Sequence, residues 1–565
     1  MLRRISITIA LAAFVFAFAL GGDRAQRVAI SKNAPQRLTP EGVLQLRTLL
    51  TTMETTNEQA NSPDRYAREA LQFYSAFDYS LPWISAAHPT AQARRIIEEL
   101  KHADEKGLRP EDYGGPLWDK RFAAVAGAMP PEAALIPFDV DLTVSTMRFL
   151  SDLHVGRVNP RALRFAFTAD EKSLDLSEFL QHELVNASDI QAVVDSVEPQ
   201  FLAYRRTLEA LHTYAALVRN DQGGELPPSA RTIHPGEPYS SLLYLERRLH
   251  LLGDLVESNP TEPATYGREL VAAVKHFQRR HGLTPSGNID APTLAQLNTP
   301  ISRRLLQLQL TLERWRWLPQ NFTRPPIVVN IPEFRLYAIS EEHRVAFAMN
   351  IVVGRAFHHE TPVFTSEIES VIFRPYWNVP LAIQRDELVP QLDKHPGYLE
   401  QNSYEIVDAR GRVVDDWHNT QELKQRLRSG AWLLRQKPGP ANSLGLVKFE
   451  LPNPYDVYLH GTPEQELFSQ SRRDFSHGCL RVEDPAALAR WLLRGNPGWT
   501  ERRIRAAMNG DQSLRVCLEK SVPAWILYGT AVVQEDGEVH FLEDIYGHDA
   551  ALERVLEQRS SRSMR

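Results

Sequence analysis

The chain has 565 residues, 43% of them hydrophobic and 24% charged, which excludes an intrinsically disordered polymer and implies about three or four domains. A formal net charge of -6 and the lack of any zinc-finger or similar motif set nucleic acid aside as a partner. Two cysteines, Cys479 and Cys517, occur in the whole sequence.

At the N-terminus, "MLRRISITIALAAFVFAFALGGDRAQ" places Arg3 and Arg4 before an apolar run from Ile5 to Leu20 that breaks at Gly21-Gly22-Asp23. This pattern predicts an export signal or an uncleaved inner-membrane anchor over residues 1–25, with no lipobox cysteine behind it. The rest of the chain is expected to be soluble and outside the cytoplasm. An oxidising compartment favours disulfides, so one reading joins Cys479 to Cys517. The surroundings of Cys479 favour another use, and Cys517, in the alternating stretch "LRVCLEK", reads as a core cysteine.

Residues 30–230 read as a mainly helical scaffold. "TAQARRIIEELKHADEKGLRPEDY" is an amphipathic helix stopped by Gly107 and Pro110. In "QFLAYRRTLEALHTYAAL", Phe201, Tyr204, Leu208, Leu211 and Tyr214 recur at steps of three and four, giving one apolar face. His102, His154 and His212 stand alone on these helices and read as structural. A Gly- and Pro-rich linker, "NDQGGELPPSARTIHPGEPY", leads to a small helical unit at 239–298. There Leu270, Ala273, Val274 and Phe277 mark one helical face, and Asp290 caps a short helix with Pro292 behind it.

From 325 to 550 the period changes from helical to alternating. "PIVVNIPEFRLYAI", "RVAFAMNIVVG" and "IESVIFRPYWNVP" read as strands, and "AWLLRQ", "LVKFEL", "AWILYGTAVV" and "GEVHFLEDIYG" continue them. A polar, partly helical stretch at 381–429 reads as a flap inserted into this β-rich domain. The fold class is therefore multidomain α+β: helical scaffold, small helical unit, and β-rich domain with an inserted flap.

The residues able to carry chemistry are His460 in "VYLHG" and Ser476, His477 and Cys479 in "FSHGCLRV". A thiol becomes a useful nucleophile when a base or a positive field stabilises its thiolate. A strand would hold the His460 imidazole, and Gly478 removes a side chain beside the thiol so that substrate can approach the backbone. The amides of Gly478 and Cys479 would face a developing oxyanion, with His477 adding its own. No HExxH motif is present, and no carboxylate is placed as an obvious third zinc ligand, so no metal and no cofactor are expected. A zinc peptidase built on these histidines and Cys479 is the rival chemistry.

"HGTPEQELFSQSRRDFSHGCLRV", in which 15 residues separate His460 from Ser476, resembles the signature of the L,D-transpeptidases with a YkuD-like catalytic domain. "ERWRWLP", "VNIPEFRLY", "PYWNVP", "RQKPGPANSLGLVKFELPN" and "EDIYG" resemble the large periplasmic Gram-negative subgroup. "AVKHFQRRHGL", "SGNID" and "TLAQLN" resemble a peptidoglycan-binding domain.

The resemblance implies a periplasmic enzyme in which Cys479 attacks a tetrapeptide stem, D-Ala leaves, and an amine on a second stem resolves the thioester into a 3→3 crosslink. It makes His460 the base, oriented by the Gly461 carbonyl, and His477 a helper in the pocket. Ser476 and Arg481 would steady the loop or a substrate carboxylate. Tyr376, Trp377 and Asn442, with Lys448, would lie near the groove. Partners would be peptidoglycan stems and other cell-wall synthases, with the membrane reached only through an N-terminal anchor. An L,D-carboxypeptidase or a hydrolase of wall-linked proteins would use the same residues, and a non-catalytic wall-binding scaffold is the remaining alternative.

Overall fold

The computed structural model describes residues 34–59, 65–167, 172–221, 224–229, 231–256, 265–319 and 324–563; the expected export segment lies outside them. Among the described residues no helix is long and apolar enough to cross a membrane.

The scaffold closes around a long helix α1 (Glu132–Val155) whose apolar side chains, among them Ile136, Leu142, Met147 and Leu150, are fully buried. Trp83 and Tyr74 pack beside it and hydrogen-bond its buried Asp139 and Thr143. The helix predicted around Ile96 runs Ala91–Lys101; the Thr90 side chain caps it, and Gly107 in the left-handed region ends the short turn that follows. Helix α2 (Leu202–Asn220) buries Tyr204, Leu211 and Tyr214 as the periodicity required.

In the small unit, α3 (Arg268–Arg280) buries Leu270, Ala273, Val274 and Phe277. Asp290 caps α4 (Ala291–Leu297) by accepting from the Thr293 N–H at 2.9 Å. Helix α5 (Ile301–Arg316) then packs Leu308 and Leu312 onto α2.

The β-rich part contributes β1 (Ile327–Asn330), β2 (Arg335–Ile339), β3 (Val345–Gly354), β4 (Phe364–Phe373), β5 (Trp377–Asn378), β6 (Tyr404–Asp408), β7 (Trp432–Gln436), β8 (Val447–Glu450), β9 (Leu459–His460), β10 (Asp474–Ser476), β11 (Leu480–Val482), β12 (Leu514–Leu527), β13 (Ala531–Val533) and β14 (Val539–Phe541). The main sheet runs β10-β3-β11-β9-β8-β4-β12-β1-β2, and β2 pairs back onto β3, so eight strands close on themselves with β10 added outside. Closure removes free edges and holds the short strands β9 and β11 between longer ones. Phe165, Phe167 and Trp317 join the sheet's core from the helical side. Helix α6 (His548–Ser563) returns to the scaffold, where Arg559 pairs with Asp152 at 2.7 Å.

Two expectations need correction. The stretch "AWLLRQ" does not rejoin the main sheet: β7 pairs with β5 and β6 in a separate three-stranded sheet, so the flap spans more than 381–429 and contains a strand of its own. Alternation marks a strand but not its partner. Val379, Leu388, Val389, Leu399, Ile406, Leu427 and Leu434 give the flap its own core. Cys517 is exposed, not core, and both cysteines are free. It shares a face of β12 with Arg515 and Glu519, which alternation sends to solvent while Leu518 turns inward.

Candidate active site

Three neighbouring strands assemble the site. In register, His460 on β9 stands between Lys448 on β8 and Arg481 on β11. Side chains two residues apart share a face, so Tyr458 and His460 project with Cys479 and Arg481. The Leu480 N–H donates to the Tyr458 carbonyl at 3.0 Å, which fixes Cys479 opposite Tyr458.

His460 is 5% exposed, and its Nδ1 lies 2.6 Å from the Gly461 carbonyl. A carbonyl can only accept, so Nδ1 carries the proton and Nε2 keeps its lone pair. Burial first, then the charges of Arg481 and Lys448, push the imidazole pKa down to about 3 against the pull of Gly461. His460 is neutral at ordinary pH.

Half-buried Cys479 is pushed up by burial, and Tyr458, Lys448 and Arg481 pull it partly back. The thiol's hydrogen-bond partners among the described residues are the Asp456 carbonyl at 3.8 Å and Tyr458, not the His460 ring. Tyr458 joins this face unannounced by the sequence reading, although its place two residues before His460 in the chain implies it. Its ring lies 5.6 Å from that of His460, and the Lys448 ammonium sits 4.1 Å over it. Trp377 donates its indole N–H to the Tyr458 hydroxyl.

The loop from Ser476 to Cys479 is tightly tied. The Ser476 hydroxyl donates to the Cys479 carbonyl at 2.6 Å and accepts the Gly478 N–H at 3.1 Å. The Gly478 amide, expected to face an oxyanion, is thus already engaged. Gly478 has φ +112°, a conformation open to glycine, and its carbonyl accepts from the Thr361 hydroxyl at 2.8 Å. Thr361 also accepts the Gly354 N–H at 2.9 Å; a Cβ on Gly354 would fall 1.9 Å from the His359 carbonyl. His477 points away from the thiol's partners: its Nε2 meets Glu387 of the flap at 2.5 Å, and its ring lies 4.6 Å from that of His359.

The remaining candidates are spread around this centre. Arg481 pairs with Glu464. Trp377 stands at the root of the flap, and Tyr376 is exposed beneath the Arg435 guanidinium at 4.7 Å. Asn442 was placed in the groove by sequence reading, but it is 1% exposed. Its amide donates to the Pro375 and Lys437 carbonyls and its oxygen accepts from the Leu444 N–H, so it clamps the flap root.

The closed β-sheet thus sets a thiol, a neutral histidine and two cations on one face. Residues 324–500 match the family model of the L,D-transpeptidase catalytic domain. Residues 240–297 match a "Putative peptidoglycan binding domain", and residues 68–211 a scaffold domain. The chain is 31% identical over 247 residues, 43% of its length and 48% of the relative's, to a "Putative L,D-transpeptidase" of Haemophilus influenzae. It is 26% identical over 149 residues, 25% of its length and 47% of the relative's, to Metalloendoproteinase 1 of Glycine max. The chain thus spans about half the length of the curated relatives it matches. A solved L,D-transpeptidase from Stackebrandtia nassauensis aligns over 54% of this chain and 97% of that one, at 13% identity and a TM-score of 0.21, too slight a likeness to bear on the fold.

Proposed function

We propose that the chain is a peptidoglycan L,D-transpeptidase that forms 3→3 crosslinks between diaminopimelate residues through a Cys479 thioester. The observation that carries this reading is the His460–Cys479 arrangement: a buried neutral imidazole, proton fixed on Nδ1, on the same face of adjacent strands as the thiol.

On this reading the Cys479 sulfur attacks the carbonyl that joins the diaminopimelate L-centre to D-Ala as His460 Nε2 takes the thiol proton. The C–N bond breaks, D-Ala leaves with that proton, and a thioester remains. An acceptor amine then attacks the thioester, His460 takes the amine proton and returns it to the departing sulfur, and an amide replaces the thioester. With the Gly478 amide engaged by Ser476, the Cys479 amide and His477 amide are the backbone donors left to the oxyanion.

In the same proposal residues 30–230 position the enzyme, 239–298 hold peptidoglycan, 325–550 catalyse, the flap shields the thioester, and residues 1–25 carry export to the periplasm. The test is incubation of purified protein with tetrapeptide muropeptides, with Cys479→Ala beside it. Dimers joined between diaminopimelates, absent in the variant, are expected by mass spectrometry; tripeptides alone would make it a carboxypeptidase.

A further inference from the structure

The flap's other ion pairs among the described residues close on the flap itself: Lys424 and Arg428 with Asp393, Arg435 and Lys437 with Glu405, Arg426 with Glu422, Arg412 with Asp408, Arg385 with Asp386. Glu387 is the exception. It leaves the flap to meet His477, two residues before the thiol, at 2.5 Å. Glu387 stands on the π-turn Gln384–Leu388, a wide turn that recurs at functional sites. On the other side, the His359 ring lies against His477 at 4.6 Å. The turn that bears His359 is itself fixed, since Thr361 binds the Gly478 carbonyl and the Tyr546 hydroxyl binds the Gly354 carbonyl at 2.5 Å. His477 is therefore held between a rigid wall and a separately folded flap.

We propose that Glu387 is a positioning residue that latches the flap over the nucleophile loop by pairing with His477. The root of the flap is already clamped by Asn442, and the latch adds a second tie, made directly to the loop that carries Cys479. The pair is partly exposed, 28% for His477 and 48% for Glu387, which makes it weak enough to open for a stem peptide and to close behind it. The consequence for acyl transfer, exclusion of water from the thioester, rests on the reading under Proposed function; the latch itself does not.

The test is native-state labelling by iodoacetamide, followed site by site by mass spectrometry, with exposed Cys517 as the internal reference. Glu387→Ala should label Cys479 roughly three- to fivefold faster than wild type relative to Cys517, as expected for loss of one partly exposed charged pair. Glu387→Gln keeps an acceptor for the imidazole N–H and should fall between the two. Arg385→Ala, on the same turn and paired with exposed Asp386, should match wild type. Equal Cys479 labelling in Glu387→Ala and wild type overturns the latch, and so does a parallel rise at both cysteines, which would report general loosening. With muropeptides, Glu387→Ala should shift product from crosslinked dimer toward tripeptide. A wild type that makes no dimer refutes the proposed activity and leaves the labelling result to decide the latch alone.

Discussion

Cys479 and Tyr458 face each other across adjacent strands, with the Tyr458 hydroxyl bonded to the thiol and the Leu480 N–H bonded to the Tyr458 carbonyl at 3.0 Å. Burial first, then the Cys479 charge, raises Tyr458 well above the usual phenol range, so it stays a donor at any working pH. Its hydrogen bond stabilises the thiolate without touching the imidazolium. Tyr458→Phe keeps the ring under Lys448 and removes the hydroxyl that serves both the thiol and the Trp377 indole N–H. Loss of one hydrogen bond to a charged group is worth about 2 kcal/mol, so acylation of Cys479 should slow by roughly tenfold or more with little change in melting temperature. Time-resolved intact mass measures this, and an unchanged rate would remove Tyr458 from the mechanism.

Family resemblance and local pattern carried the sequence reading to Cys479, His460 and Gly461, because a strand's period and a short motif are local facts. What it missed is long-range. Glu387 lies 90 residues from His477 and Thr361 lies 117 from Gly478, and nothing local pairs them. The Gly478 amide was misassigned for a different reason: a glycine beside a nucleophile suggests an open donor, but the Ser476 hydroxyl two residues earlier reaches it first. Asn442 was drawn toward the groove by resemblance, whereas burial turned it into a clamp. Cys517 was legible after all, since Arg515 and Glu519 share its face.

The scaffold carries a pH-dependent element. Burial raises the Asp139 carboxyl from 3.8 to about 8 against the hydrogen bonds of Tyr74 and Trp83. A folded-state pKa above the unfolded one means the native state binds the extra proton between those values. Stability is then full below about pH 4 and falls as pH climbs to 8, by about 6 kcal/mol at most. Asparagine does not titrate, so the stability of wild type relative to Asp139→Asn should drop between pH 5 and 8 in denaturant titrations. A constant difference would show that Asp139 stays ionised.

Resemblance to L,D-transpeptidases also leads to a carbapenem prediction. The Cys479 sulfur should open the β-lactam ring, forming a thioester while the ring nitrogen takes the proton. Wild type and Cys517→Ser should gain the mass of one carbapenem, and Cys479→Ala should gain none. The control matters because Cys517 is free and exposed. An adduct that survives in Cys479→Ala would place the reactive nucleophile elsewhere.

The two active-site pKa values determine how the thiol is activated. His460 is held at about 3, while burial lifts Cys479 above its ordinary value of 9.0. With the imidazole lowered and the thiol raised, a resting thiolate–imidazolium pair is unfavourable, so the site rests as thiol and neutral imidazole and the proton moves as the carbonyl is attacked. Alkylation of Cys479 by neutral iodoacetamide should therefore climb about tenfold per pH unit between 6 and 8, with no plateau at lower pH. A plateau between pH 4 and 7 would report a preformed ion pair and contradict this account. Arg481→Ala sharpens the test. Arg481 lowers both groups, so its removal raises the thiol, slowing alkylation at fixed pH, and also raises His460. Both groups then shift in the same direction, and acyl transfer to a small uncharged thioester-forming probe should be less affected than in Tyr458→Phe, where the thiol alone is raised. Exposed Glu464, left without its partner, adds no large penalty to folding.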